Sequence, residues 1–142
     1  MTEAGFTPTF FAYPSSQRNI ESDTLLAKTF THLRGGTGLP ESTPIFALDK
    51  IFYTPNEIVK TTCLIGTGID YAGSEKRPDY IKQINKALDR AKAQGEIVVF
   101  YTHGISENGP GHHITLKALE AILAHAQTIG LPTLSYDDLP TK

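Results

Sequence analysis

The sequence has one cysteine, Cys63, and no tryptophan. A single thiol forms no disulfide within the chain and supplies no thiolate cluster for zinc, iron or copper. Charge of one sign is also scarce: thirteen basic residues against fifteen acidic ones leave a formal charge of -2. No basic field is therefore available to collect phosphate backbones or anionic lipid, and neither nucleic acid nor a membrane is an expected partner. No run approaches the roughly 18 apolar residues of a membrane span. Met1-Thr2-Glu3-Ala4-Gly5 has neither the positive start nor the apolar stretch of a secretion signal, so the chain as written is expected to be cytoplasmic. Asn-x-Ser/Thr acceptors, repeats of solenoid length and low-complexity stretches are missing too. What remains is a globular composition, 39% hydrophobic and 20% charged, in 142 residues, the usual size of one domain spanning 1–142.

Residues 9–13 are aromatic and apolar and end at Pro14-Ser15-Ser16, which reads as a buried strand running into a turn. Asn19 is placed to cap a helix reaching about Phe30, with Leu25, Leu26 and Phe30 inward. A short strand at His32-Leu33-Arg34, a loop over 35–44 and an apolar strand over 45–53 follow. Thr54-Pro55-Asn56-Glu57 has a capping-box pattern, yet the Thr and Cys beyond it favour an extended strand through Ile69; both readings stay open. Tyr80, Ile81, Ile84, Leu88 and Ala91 recur at helical spacing up to a stop at Gly95. Residues 97–101 read as a strand covered on both faces, as in a parallel sheet. A second helix is expected over 115–129 with Leu116, Leu119, Leu123 and Ala126 inward, then a last strand over 132–136. This order is α/β, and right-handed crossovers would gather the strands' C-terminal ends, carrying Tyr13, Pro14, Asp70, Tyr71 and His103, on one side.

His103 is the strongest candidate for chemistry, because it directly follows an apolar strand, at the edge where such folds bind ligands. Its imidazole is suited to proton transfer, and the competing reading is a plain loop hydrogen bond. Gly66-Thr67-Gly68 lacks the third glycine of a dinucleotide fingerprint and reads as a turn or bulge. His112 and His113 stand at no helical spacing from His103 or His125, so loop polarity is favoured over metal ligation. Asp137-Asp138 reads as a polar strand end, and the Gly-x-Ser-x-Gly elbow of serine hydrolases is missing.

Several of these segments, in order, resemble the polysaccharide deacetylase family of carbohydrate esterases, the NodB homology domain, in the C-terminal half of its catalytic domain. Phe10-Phe11-Ala12-Tyr13-Pro14-Ser15-Ser16 is similar to the family's third motif, though Ala12 stands for its arginine and Ser15-Ser16 for its Tyr-Gly. His32-Leu33-Arg34-Gly35 resembles the strand that follows, Gly68-Ile69-Asp70-Tyr71 an Asp-Trp element, and Val98-Val99-Phe100-Tyr101-Thr102-His103-Gly104 the final motif, a strand ending in Leu-x-His. The resemblance implies an incomplete (β/α) barrel of about five or six mostly parallel strands with helices, where a complete one takes roughly 200 residues or more.

The function implied is metal-dependent hydrolysis of N- or O-acetyl groups on carbohydrate, with zinc as the divalent metal of the complete domain, His103 as the acid that protonates the leaving group, and Tyr13, Pro14, Ser15, Asp70 and Tyr71 as substrate contacts. The backbone N–H of Ser15 would face the oxyanion. The family's Thr-Phe-Asp-Asp and His-x-x-x-His motifs do not occur in these 142 residues, so no metal ligand is assigned, and the isolated chain is expected to hold no catalytic metal and to be inactive. The other reading is a non-catalytic α/β module that binds glycan or self-associates. In either case the open edges of a part-barrel imply a homodimer, and acetylated carbohydrate is the expected small partner.

Overall fold

The computed structural model describes residues 5, 7–37, 42–109 and 111–141, so residues 38–41 of the expected 35–44 loop and most of the N-terminal stretch searched for a signal lie outside the described residues. The first strand, β1 (Phe10–Ala12), ends where Pro14 opens a tight turn. Helix α1 (Ile20–Leu26) starts at Asn19, whose Oδ1 accepts from the Ser22 N–H at 2.8 Å while the Ser22 hydroxyl accepts from the Asn19 N–H at 3.0 Å. These bonds satisfy orphan donors of the first turn. The helix stops short of Phe30, and Leu25 is exposed, whereas Leu26 and Phe30 pack beside Tyr13, Leu33 and Cys63.

Strand β2 (His32–Gly36) forms at the expected start but runs on through Gly35 and Gly36, which pair with Ile65 and Gly66 instead of opening the expected loop. The expected strand over 45–53 is largely overturned: Ile45–Ala47 and Asp49–Ile51 are 3-10 turns, and only β3 (Phe52–Tyr53) is extended. Two side chains of the long helix take up backbone groups that a strand would need. Gln83 Oε1 accepts from the Ile45 N–H at 3.2 Å, and the Arg90 guanidinium donates to the Phe46 carbonyl at 3.0 Å while lying 3.9 Å from the Phe52 ring centroid. Tertiary bonds here override the apolar run. The undecided segment resolves into both alternatives: α2 (Pro55–Lys60) carries the Thr54/Glu57 capping box, and β4 (Cys63–Gly68) follows it.

Helix α3 (Tyr80–Gln94) ends at Gly95, whose φ of 66° makes the left-handed stop. The apolar run after it forms β5 (Ile97–Val98) and β6 (Phe100–Tyr101), divided at Val99, which donates to the Ile51 carbonyl and accepts from the Thr67 N–H at 3.1 Å each. β5 pairs antiparallel with β3, while β6 joins the main sheet. That sheet is parallel throughout, curled like half a barrel, with order β1-β2-β4-β6. Among the described residues β6 therefore ends the order, and His103 follows an edge strand.

Helix α4 (Leu116–Thr128) begins at Thr115 and packs on α3. Its inward stripe is Ala118, Ile122 and Ala126; Leu119 is half-buried, whereas Leu116 and Leu123 are exposed. Small residues decide this rotation, since Ala118 and Ala126 share the core with Ala87 and Ala91 of α3, and close helix approach favours alanine over leucine at the contact. The strand expected over 132–136 does not form. Asp138 Oδ2 accepts both the Ser135 N–H and hydroxyl at 2.7 Å, and the chain closes into a 3-10 turn over Tyr136–Asp138. Gly66-Thr67-Gly68 is neither turn nor bulge but the body of β4. Among the described residues no helix is long and apolar enough to cross a membrane.

Candidate functional site

Because β1, β2, β4 and β6 are parallel, their C-terminal ends share one edge of the sheet, and the segments after them meet there. Asp70 comes two residues after β4 and His103 two after β6. Asp70 is fully hidden from solvent. Its Oδ1 accepts the Thr102 hydroxyl at 2.8 Å and the His103 N–H at 3.1 Å, and its Oδ2 lies 2.9 Å from His103 Nδ1. Burial alone would push this carboxyl up, but the bonds from His103 and Thr102 together outweigh it and hold Asp70 below the usual carboxylate range. A carboxylate in that place fixes the His103 proton on Nδ1 and turns Nε2 outward, and the side chain is 59% exposed.

A row of rings extends from this pair in both directions. On one side the Tyr101 ring stands edge-on to His103 with centroids 5.8 Å apart, and the Arg34 guanidinium lies 4.3 Å above Tyr101. Tyr101 fits because two glycines form the floor under it: a Cβ on Gly36 would meet its hydroxyl at 2.8 Å, and one on Gly66 would meet its ring at 3.3 Å. The same position on Gly36 meets Ser16 Oγ, so the turn after β1 reaches this floor. Ser15 and Ser16 have φ of 52° and 55°, a left-handed backbone that serine rarely adopts.

On the other side His112 lies 5.2 Å from His103, centroid to centroid, and Tyr71 lies 5.4 Å from His112. Lys76 Nζ sits 4.6 Å from the Tyr71 centroid. The loop that returns His112 is pinned at its base, where Ile114 donates to the Gly104 carbonyl at 2.9 Å and Ser106 donates to the Ile114 carbonyl at 3.0 Å. Tyr71, itself at φ 64°, holds its far end by donating its N–H to the His113 carbonyl at 2.8 Å and its hydroxyl to the Gly111 carbonyl at 3.1 Å.

Of the residues expected from sequence, Asp70, Tyr71 and His103 come together. Pro14 and Ser15 lie on the exposed turn at the same edge. Tyr13 does not face His103: its side chain is buried against α1, and its hydroxyl donates to Asp23 Oδ1 at 2.7 Å. Sequence reasoning missed Tyr101 and Thr102 as members of the site and set His112 aside; Gly109, where a Cβ would meet Ser106 at 2.8 Å, and Gly111, at φ 81°, were the available signal. Cys63 is buried and its thiol is pushed up by that burial, so it is no nucleophile.

Among the described residues Asp70, His103 and His112 form the one group of three side chains able to hold a metal ion. It does not fit the resident metal implied by the resemblance, because three hydrogen bonds already hold the Asp70 carboxylate and one of them runs to the His103 imidazole that would be its fellow ligand, so Asp70 orients that ring instead of sharing a metal with it. No family model, no curated protein and no solved structure matches this chain.

Proposed function

We propose that this chain carries the acid–base part of a carbohydrate deacetylase site. In this reading His103, oriented by Asp70, gives the proton on Nε2 to the amine or alcohol that leaves when the acyl bond to water's oxygen forms and the bond to the sugar breaks. Asp70 is a positioning residue and keeps its hydrogen bond to Nδ1 throughout. The observation that carries the proposal is the fully hidden Asp70 carboxylate bonded to His103 at the sheet's ligand-binding edge. Tyr71 supplies an aromatic face on which a pyranose ring stacks, and Pro14 and Ser15 border the same edge. No residue of this chain is assigned the Lewis-acid role.

Two measurements test this. Titrating labelled protein with N-acetylglucosamine oligomers should shift the NMR signals of His103, Tyr71 and Ser15 together; shifts confined to another face, or none, would refute the reading. The purified chain alone should release no acetate from these oligomers above buffer, and measurable release would overturn the division of the site between this chain and a second half that supplies the Lewis acid.

A second reading, self-association, is favoured by the two ends of the sheet. β1 leaves one edge unpaired within the sheet, and an apolar crevice of about 290 Å³, lined by Phe100, Leu123, Leu131 and Leu134, flanks β6 at the other. We expect a twofold dimer burying more than roughly 1,000 Å² in total and including β1. Sedimentation at concentrations on the order of tens of micromolar checks this, and a persistent monomer would eliminate it.

A further inference from the structure

We propose that His103 and His112 form an exchangeable site for a late first-row divalent cation of the zinc, nickel and copper class, with Asp70 as its outer carboxylate. The inference rests on the geometry of the histidine pair and not on the acetyl-hydrolysis reading. The Asp70 bond to Nδ1 leaves the Nε2 lone pair of His103 directed outward, the arrangement in which a carboxylate orients a metal-binding imidazole. The His103 and His112 rings lie 5.2 Å apart, centroid to centroid, beside the Asp70 carboxylate. Nitrogen ligands sit about 2.0–2.1 Å from zinc, so two of them on one tetrahedral ion are about 3.3 Å apart. Rotation of the exposed His112 ring closes the gap while His103 keeps its bond to Asp70. The backbone on either side of His112 is held by Tyr71 through the Gly111 and His113 carbonyls, so the pair is presented by an anchored loop.

Two neutral imidazoles prefer zinc, nickel or copper to magnesium or calcium, which seek oxygen, and water completes the coordination. A metal on Nε2 occupies the lone pair that would otherwise take up the proton, so cation binding and acid–base use of His103 exclude each other.

The test is a Zn²⁺ titration of the untagged chain, followed by calorimetry and by the side-chain nitrogen NMR signals of its histidines. One equivalent should shift His103 and His112 together, and Mg²⁺ should shift neither. His112→Ala, a change at an exposed ring, should weaken zinc at least about tenfold, and Asp70→Asn should do so by about 10- to 100-fold, the usual effect of losing an outer partner. His113→Ala should leave binding unchanged. Absence of saturable zinc binding, equal affinity in His112→Ala, or a loss in His113→Ala as large as that in His112→Ala would overturn the site. Because the sugar titration uses a different ligand and includes Ser15 and Tyr71, failure here is distinguishable from failure of the deacetylase reading.

Discussion

Replacing His103 by alanine is expected to lower acetyl hydrolysis about 100-fold or more, the contribution of a well-placed general acid, once the half that carries the Asp-Asp and His-x-x-x-His motifs is supplied and activity appears. The assay belongs on this chain joined to that half, with acetylated glucosamine oligomers as substrate. The loss should fall on kcat with little change in KM, since the ring's role is in the bond-breaking step and stacking is left to Tyr71. The fold should tolerate the change, because the side chain is 59% exposed. Asp70→Asn should also lower kcat, and here NMR separates positioning from structure: an amide nitrogen facing Nδ1 reverses the tautomer that the carboxylate imposes, whereas a purely structural role for Asp70 leaves the tautomer unchanged. A fall of less than about tenfold in His103→Ala would show that the proton comes from elsewhere.

The elements that were legible from sequence are those whose ends are set locally. Asn19 with Ser22 and Gly95 at φ 66° each fix a boundary through bonds or angles within a few residues, whereas the Thr54/Glu57 box was offset by the Thr and Cys beyond it and left helix and strand both open. The misread elements depend on distant partners. The apolar run over 45–53 loses its strand to Gln83 and Arg90, roughly forty residues away. In α4 the largest apolar side chains seemed to mark the inner face, but the alanines pack against α3 and two leucines turn outward. Residues 97–101 read as one strand, yet Val99 bonds to Ile51 on one side and Thr67 on the other, so the run serves two sheets.

At the site, Asp70 and His103 were legible because each follows an apolar strand, and parallel order brings such ends to one edge. The pairing of His103 with His112 was not legible, since spacing rules apply to a continuous helix or strand and these two histidines meet across a loop closed by the bonds between Gly104, Ser106 and Ile114. Tyr13 shows the opposite error. Its place at the end of β1 was read correctly, but the side chain follows the buried carboxylate of Asp23 and turns away from the edge.

That buried carboxylate is the source of the second large effect. Asp23 is only 3% exposed and forms an ion pair with Arg18, whose Nε also donates at 3.2 Å, and it accepts the Tyr13 hydroxyl. The Arg18 bond, with help from Tyr13, overcomes the burial penalty and holds the Asp23 carboxyl below its usual range. Asp23→Ala should cost about 3 kcal/mol near neutral pH, the lower end for breaking a buried pair, because Arg18 is one-third exposed and regains some hydration. The sign of the pH dependence follows from the lowered value. The stabilisation is complete above the unfolded carboxyl's pKa, about 3.9, and fades as pH falls through the lower folded value. Urea unfolding of the two proteins should therefore give free energies that converge as the pH is taken from about 7 to below about 3. A gap that stays constant across that range would mean that the Asp23 charge contributes nothing and that the loss in Asp23→Ala is one of packing alone.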